Sequence, residues 1–195
     1  MLSWRLRGGL IFAPTIDFRS NSVNFVPPEQ RFYAGGPNDV RGYDRNELGP
    51  VVYVIPSANV TRDTLGNVVA FDSSAVRFSA TGGNTLIVGN IELRVPSPIF
   101  RRRLRFAAFL DAGGLWQRGE TDVAPAVIRL TPGLGVRVAT PLGPARLDVA
   151  YNPYKLPSGQ LFESTPNGEL LRLPNPFIRD RGRRYTVHFS VGHPF

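Results

Sequence analysis

The chain has 195 residues, enough for one domain or for part of a larger one, and its 23 lysines and arginines against 15 acids give a formal net charge of +8. All of these basic residues except Lys155 are arginines, which pair with carboxylates and phosphates in fixed, bidentate geometry, so the excess indicates an acidic partner or an interior lined with arginine. The absence of cysteine excludes a disulfide framework, a thiolate nucleophile and a cysteine-based metal site.

The first predicted element is a strand over residues 3–12. Its apolar part is too short, and too interrupted by Gly8 and Gly9, for a signal peptide. No apolar run in the sequence approaches the ~20 residues of a membrane helix. One face carries Trp4, Leu6, Leu10 and Phe12, and the other carries Arg5 and Arg7.

Residues 13–83 form the longest stretch without periodicity, and residues 31–43 are its most unusual part. They contain too much Gly and Pro for a helix or a regular strand and too many aromatic residues for disorder. Loops of this length usually have a function when they are ordered. We therefore predict that the loop folds back onto the molecule, with Arg41 as the charge that needs partners there. A minor hairpin is predicted over residues 61–72, turning at Leu65-Gly66-Asn67.

Five further strands are predicted within residues 84–195. They cover about 84–95, 104–116, 126–140, 145–151 and 184–195, with a proline-rich loop at about 152–181. On each strand, aliphatic and aromatic side chains alternate with Arg, Asp, Glu, Thr, Ser or Gly. Glu92 and Asp111 fall on the polar face of successive strands. We interpret Gly133 and Gly135, also on that face, as residues that allow a strand to curve.

The alternating lengths of the connections favour a membrane barrel over a soluble sandwich. Strands in lipid are ~9–11 residues long and pair all of their backbone groups. Short turns lie on the periplasmic side of such barrels and long loops outside. With the last residue at the periplasmic end, turns 96–103 and 141–144 fall inside and the three longer loops fall outside. The predicted fold class is therefore all-β, an antiparallel transmembrane β-barrel segment in the bacterial outer membrane, with a long loop that folds back onto it.

About six strands are too few to close such a barrel. Bacterial barrels have at least eight strands, and an open edge in lipid costs several kcal/mol for each unpaired backbone group. We therefore expect the chain to be the C-terminal part of a larger barrel, or to pair with another copy or with a partner.

Six motifs follow one another along nearly the whole chain. They are Arg31-Phe32-Tyr33-Ala34-Gly35-Gly36, Val40-Arg41-Gly42-Tyr43, Gly89-Asn90-Ile91-Glu92-Leu93-Arg94, Phe109-Leu110-Asp111-Ala112-Gly113, Thr140-Pro141-Leu142-Gly143-Pro144, and a last strand ending in Phe195. Each motif alone is a weak signal, but together and in this order they are specific. The chain resembles the C-terminal barrel region of the BamA/TamA superfamily of outer-membrane assembly factors, also called the bacterial surface antigen family.

The resemblance implies roles for several residues. In the family, the loop between the eleventh and twelfth of sixteen strands enters the lumen, and the arginine of its Val-Arg-Gly-Tyr motif pairs with acids on the barrel wall. The family also has a weak seam between its first and last strands, and a last strand that acts as an assembly signal. Carried over, the loop motif is Val40, Arg41, Gly42 and Tyr43 with loop glycines Gly35 and Gly36, the wall partners are Glu92 and Asp111, and the terminal signal is Phe189, Val191, Gly192 and Phe195.

The function implied by the resemblance is protein assembly or translocation, in which client proteins are helped to insert or to be exported without ATP. No catalytic residue, metal or cofactor is expected, and no POTRA domain within residues 1–195. The expected partners are the lipid bilayer, client outer-membrane or secreted proteins, a further N-terminal barrel half, POTRA domains or a second copy, but no nucleic acid. Two alternatives remain: a two-partner-secretion-type transport pore, and the translocator barrel of a fused passenger such as a patatin-like lipase.

Some residues also have other interpretations. Glu92 and Asp111 could form a catalytic carboxylate pair, but arginines surround them and no sugar-stacking platform is evident. His188 is not accompanied by a nucleophile elbow, so we expect an ordinary hydrogen-bonding role. The basic run 101–105 lies at a predicted membrane boundary and favours solvent or lipid headgroups over nucleic acid.

Overall fold

The computed structural model describes residues 1–13, 15–18, 21–24, 26–100, 103–118, 127–141 and 143–192. Within these ranges the chain forms fourteen strands and three single turns of 3₁₀ helix, the latter at Pro28–Gln30, Ser57–Asn59 and Ser73–Ala75. The strands are β1 (Leu2–Leu10), β2 (Thr15–Phe18), β3 (Asn21–Asn24), β4 (Val51–Pro56), β5 (Val60–Arg62), β6 (Val68–Phe71), β7 (Arg77–Ala80), β8 (Thr85–Pro96), β9 (Leu104–Trp116), β10 (Arg129–Thr140), β11 (Gly143–Tyr151), β12 (Gly159–Ser164), β13 (Leu170–Phe177) and β14 (Tyr185–Val191). In the part of the chain so described, no helix is long and apolar enough to cross a membrane.

Six of the strands form one antiparallel sheet in the order β1-β8-β9-β10-β11-β14. These are the six strands that the alternation predicts, at nearly the same positions. Each strand pairs with its neighbour along this series, and the longest ladder joins β8 to β9 from Thr85–Trp116 to Pro96–Arg105. The predicted all-β, antiparallel fold is therefore confirmed. The sheet is open, since within the described residues β1 pairs only with β8 and β14 only with β11.

The two faces of this sheet are inverted relative to those of a water-soluble protein. Large apolar side chains on one face are exposed, among them Trp4 at 77% and Phe189 at 70%. The other face buries polar side chains completely, including Asp111, Thr131 and Asp148. An apolar outer face and a polar inner face are what a barrel wall in lipid requires.

Connections of different length emerge from the two ends of the sheet. The short connections 97–103 and 141–142 lie at one end, and the long connections that follow β1, β9 and β11 lie at the other. Two of these long connections build a second sheet, in the order β13-β12-β4-β7. Its central pair is parallel, with Val52 opposite Gln160.

This second sheet differs from the sequence analysis, which predicted only a minor hairpin within the loop 13–83 and a proline-rich loop at about 152–181. It has an ordinary apolar core, in which Tyr53 packs edge-on against Phe177 with ring centroids 5.2 Å apart. The buried core residues are Val51, Tyr53, Ile55, Val76, Leu161 and Leu173. The predicted minor hairpin is confirmed, because β5 and β6 pair across a turn at Gly66.

The segment that carries the loop motif lies on the buried face of the six-stranded sheet. Two isolated bridges hold it, Phe32 to Gly83 and Ala34 to Leu48. Its apolar side chains join those of β8 and β9 in one buried cluster, which comprises Ala34, Val40, Tyr43, Leu48, Leu86, Val88 and Leu115.

Candidate functional site

Residues 37–43, here called the loop tip, form a compact turn against the buried polar face. The Gly36 amide donates to the Tyr43 carbonyl at 3.0 Å, and the Tyr43 amide donates to the Val40 carbonyl at 3.1 Å. Gly35 and Gly36 enter this turn with φ of +106° and +102°, a region that favours glycine. The turn buries Val40, Arg41 and Tyr43 almost completely.

Arg41 occupies the centre of the site. Its Nε and Nη2 donate to the two carboxylate oxygens of Asp111, each at 2.8 Å, and its backbone amide donates to Asp111 Oδ2 at 3.0 Å. Its Nη1 donates to Glu92 Oε2 at 2.6 Å. The guanidinium also stacks on Phe109, 3.4 Å from the ring centroid. The structure thus brings Arg41 together with both acids to which the sequence analysis assigned it.

Electrostatics keep this arginine charged in its buried position. Burial by itself lowers the pKa of Arg41, because the charged form loses hydration. The hydrogen bonds to Asp111 and Glu92 and the negative charges of Asp111 and Asp148 outweigh that effect and raise the pKa above its usual value. A fixed bidentate pair of this kind is what a guanidinium forms best.

Three further charged side chains, Arg94 on β8, Arg137 on β10 and Asp148 on β11, join the site. Arg137 on β10 donates to Glu92 at 3.1 Å and to Asp148 at 2.5 Å, and Arg94 on β8 donates to Glu92 at 2.6 Å. Asp148 Oδ2 also lies 3.6 Å from Arg41 Nη1. The set formed by Arg41, Arg94, Arg137, Glu92, Asp111 and Asp148, here called the ion cluster, therefore balances three cations with three carboxylates.

The sequence analysis did not assign Arg94, Arg137 or Asp148 to the site. The signal that could have found them was present, because each lies on the polar face of its strand and at a similar level of the sheet. Asp148 pairs in register with Gly135, the residue two before Arg137 on the neighbouring strand. The alternation of apolar and polar residues identified the polar face of each strand, but it did not show which charged side chains on that face contact one another.

The backbone carbonyls of the loop tip are also bound. The Gly42 carbonyl accepts hydrogen bonds from Asn152 at 2.7 Å and from Thr186 at 3.1 Å. His188 lies 3.0 Å from the Arg41 carbonyl through its Nε2, so it has an ordinary hydrogen-bonding role. These contacts join the loop tip to β14 and to the residue that follows β11.

The other end of the loop tip reaches the remaining strands. Arg7 on β1 forms an ion pair with Asp39 at 3.0 Å, and Asn90 on β8 donates to the Asp39 carbonyl at 2.5 Å. Arg146 on β11 donates to the Pro37 carbonyl at 3.1 Å. Because Gly42 also packs directly on Thr131 of β10, seven consecutive residues contact all six strands of the sheet.

Glycines on the strands make room for this packing. A Cβ on Gly133 would lie 2.2 Å from the Phe109 ring, and a Cβ on Gly135 would lie 2.1 Å from Asp148. A Cβ on Gly113 would lie 2.5 Å from Val40. These close approaches give Gly133 and Gly135 a role in packing, in addition to the strand curvature that the sequence suggested.

The residues of the expected terminal signal lie elsewhere. Phe189 and Val191 point to the apolar outer face, exposed by 70% and 50%. Gly192 follows β14 with a φ of +105° and donates to the Pro144 carbonyl at 3.1 Å. Phe195 lies outside the described residues, as do Arg101 and Arg102 of the basic run.

Comparisons with known proteins match 70% or more of this chain. The Omp85 superfamily domain matches residues 1–195. Outer membrane protein assembly factor BamA of Neisseria meningitidis serogroup B is 27% identical over 161 residues, which cover 70% of this chain and 18% of that protein. Outer envelope protein 80, chloroplastic, of Arabidopsis thaliana is 31% identical over 159 residues, which cover 76% of this chain and 17% of that protein.

Among solved structures, the crystal structure of BamA from Haemophilus ducreyi lacking POTRA domains 1–3 covers 86% of this chain and 29% of its own. The two share 19% sequence identity and superpose with a TM-score of 0.49. The chain spans less than a fifth of the length of the two curated relatives.

Proposed function

The chain belongs to the Omp85 superfamily, and we propose that it is the C-terminal part of the barrel of an assembly factor that helps client proteins to insert or to be exported. It is an integral outer-membrane β-barrel protein. The proposed work is non-enzymatic and needs neither ATP nor a cofactor. One observation carries the proposal: in a chain that matches the family from end to end, the motif arginine Arg41 is bound by Glu92 and Asp111.

The loop tip supports a mechanical part of this function. A single short segment that contacts six strands fixes their positions relative to one another, because no strand can shift without breaking contacts to the loop tip. Arg41 is 5% exposed, and breaking a buried ion pair is costly since one charge is left without its partner. We propose that the loop tip keeps the wall rigid while the edges of the sheet exchange partners.

The last strand, β14, supports the proposed exchange of partners at the edges of the sheet. The ladder between β11 and β14 runs from Ala145–Val191 to Tyr151–Tyr185, seven residue pairs, whereas that between β8 and β9 has twelve. In lipid, an unpaired strand edge accepts any strand that satisfies its backbone groups. We propose that the free edge of β14 is the seam at which a client strand pairs. The free edge of β1 would pair with a further barrel half or a second copy, and POTRA domains would deliver the client.

Client folding in liposomes tests the proposal. A complete barrel that contains this chain is reconstituted, its insertion is verified by protease protection, and an unfolded outer-membrane barrel is added. Folding is followed by the gel mobility shift of the client. We expect faster folding than in protein-free liposomes of the same lipid. An unchanged rate with correctly inserted protein contradicts the proposed function.

A conductance measurement separates this function from that of a transport pore. A passive pore gives a steady ionic current across a planar bilayer and leaves client folding unchanged. With the loop tip packed against all six strands, we expect little current through the protein. A large, steady current together with unaccelerated folding would favour the pore.

A further inference from the structure

A large cavity lies between the two sheets. It measures about 1090 Å³ and is bounded by β4, β12 and β13 on one side and by the ends of β9 and β10 on the other. Tyr43 and Leu48 of the motif segment close one part of its wall. Small-molecule sites usually occupy about 300–1,000 Å³, so the cavity has room for a ligand with a head group.

The charges that line this cavity are all positive. They belong to Arg31, Arg129, Lys155 and Arg172, and no aspartate or glutamate is found among the described lining residues. Within the described part of the chain, none of the four forms an ion pair with a carboxylate. Arg31 donates instead to the carbonyls of Val26 and Thr81, at 2.7 and 3.0 Å. This differs from the ion cluster, where each arginine has a carboxylate partner.

Two buried polar atoms in the cavity wall lack a well-formed hydrogen bond. They are the Tyr43 hydroxyl, which interacts only weakly with the Asn152 side chain, and Gln117 Oε1, on side chains that are 1% and 8% exposed. Unpaired buried polar atoms are uncommon and require an explanation. Burial raises the pKa of the Tyr43 phenol, so that the group stays protonated and able to donate. The Gln117 amide presents either its oxygen or its NH₂ group to the cavity, depending on the rotation of the amide.

We propose that this cavity binds an anionic ligand that carries a phosphate group. The unpaired cations attract its charge, arginine and lysine both bind phosphate oxygens well, and the Tyr43 hydroxyl donates to one of those oxygens. The cavity lies at the long-loop end of the sheet, which in a membrane barrel faces outward. The phosphate therefore belongs either to a lipid headgroup at that surface or to a free phosphate compound. The inference does not depend on the proposed assembly function.

Trp116 provides the readout, because it is one of the residues at the cavity, between the lining residues Leu115 and Gln117. The chain has only two tryptophans, and Trp4 lies on the exposed outer face, so a Trp4→Phe variant leaves Trp116 as the sole emitter. This protein is reconstituted in phosphatidylcholine liposomes and titrated with inorganic phosphate. A second series replaces part of the lipid with phosphatidic acid. We expect a saturable change of Trp116 fluorescence in at least one series.

A charge-matched pair of variants tests the cations. Arg129→Gln/Arg172→Gln removes two cavity cations, and Arg77→Gln/Arg105→Gln removes two exposed arginines outside the cavity wall. A hydrogen bond to a charged group contributes ~1.5–3 kcal/mol, so the first variant should lose affinity by roughly tenfold or more. The control should bind as the unsubstituted protein does. Tyr43→Phe, which removes only the hydroxyl, should weaken binding by a few fold.

The two titrations also identify the source of the phosphate. Saturation by inorganic phosphate in neutral liposomes indicates a free phosphate compound, and a response to phosphatidic acid alone indicates a lipid headgroup. Either result supports the proposal if the cavity variant loses binding and the control keeps it. No fluorescence change in either series, or equal loss in both double variants, overturns it.

Discussion

In both sheets of this molecule the apolar side chains avoid water, but in one sheet they face the protein interior and in the other they face outward. In the four-stranded sheet, the apolar side chains face inward, and Tyr53 and Ile55 have no exposure. In the six-stranded sheet, the apolar side chains face outward and the ion cluster is buried. Apolar groups go wherever water is absent, which is the protein interior for the first sheet and lipid for the second.

The inversion changes what stabilises each sheet. The inner face of the six-stranded sheet buries one apolar cluster against Leu86, Val88 and Leu115. Around Arg41, its packing depends instead on paired charges and hydrogen bonds. Each such contact is modest when complete and costly when one partner is removed. The four-stranded sheet depends on apolar contacts, whose loss costs energy in proportion to the volume removed. Substitutions in the two sheets should therefore have different consequences.

The largest effect is expected from Arg41→Ala. It leaves Asp111 buried without its cation and Glu92 with only Arg94 and Arg137, which should lower the free energy of unfolding by about 3–5 kcal/mol. The strands should remain, since their ladders do not involve this side chain, while the loop tip is released. Urea unfolding measures the loss of stability, circular dichroism measures the retained strands, and limited proteolysis measures the release of the loop tip.

The matched control for Arg41→Ala is Arg45→Ala, an exposed arginine in the same loop. It should change the free energy of unfolding by less than about 0.5 kcal/mol. Unchanged protease resistance of residues 31–49 in Arg41→Ala would show that the ion cluster does not hold the loop.

Ile91→Arg tests which face of the six-stranded sheet contacts lipid. Ile91 is 53% exposed on the outer face of β8, and an arginine at the midplane of the lipid face of a barrel costs about 2–4 kcal/mol. Val69→Arg makes a similar change at an exposed site of β6 in the hairpin, where water solvates the charge, and should cost less than about 0.5 kcal/mol. Urea unfolding in liposomes measures both, and equal costs would contradict a lipid-facing outer surface.

Gly42→Ala tests how closely the loop tip fits the sheet. The added Cβ would lie 2.3 Å from Thr131 Cγ2 and 2.5 Å from Thr131 Cβ, and overpacking of this kind costs about 1–3 kcal/mol. Thr131→Gly in the same protein removes both atoms and should restore part of the loss. Gly182→Ala, with no atom within 4 Å of the new Cβ, is the control. If urea unfolding shows the same stability for Gly42→Ala and Gly182→Ala, the close fit of the loop tip is contradicted.

The six-stranded sheet could be predicted from the sequence because its strands are long and alternate strictly. The four-stranded sheet could not, for local and non-local reasons. Residues 51–55 are apolar without interruption, and β13 contains Pro174 and Pro176, which weaken a strand signal. The pairing of β4 with β12 joins residues more than a hundred positions apart, which no local pattern reveals.

The residues of the candidate site could also be predicted only in part from the sequence. Arg41, Glu92 and Asp111 are found together where family motifs and alternation coincide, whereas Asp148 and Arg137 carry no motif. Which polar side chains meet depends on the curvature of the sheet and on how far the loop reaches along its buried face. The alternation of polar and apolar residues along a strand specifies neither. The unpaired cations near Tyr43 depend on the second sheet, so the sequence alone gives no indication of their cavity.

The smallest effect is expected from Ile55→Val, compared with Ile91→Val. At Ile55 the lost methyl group leaves a cavity in a closed core, and such changes cost about 0.5–1.5 kcal/mol. At Ile91, lipid chains fill the space, so that only the transfer contribution of the removed group is lost and the change should be smaller. Hydrogen exchange should show the Ile55→Val effect in β4 and β12, with β9 and β10 unaffected. If the two substitutions instead destabilise both sheets equally, the sheets unfold as one unit, and their opposite orientations do not make them independent.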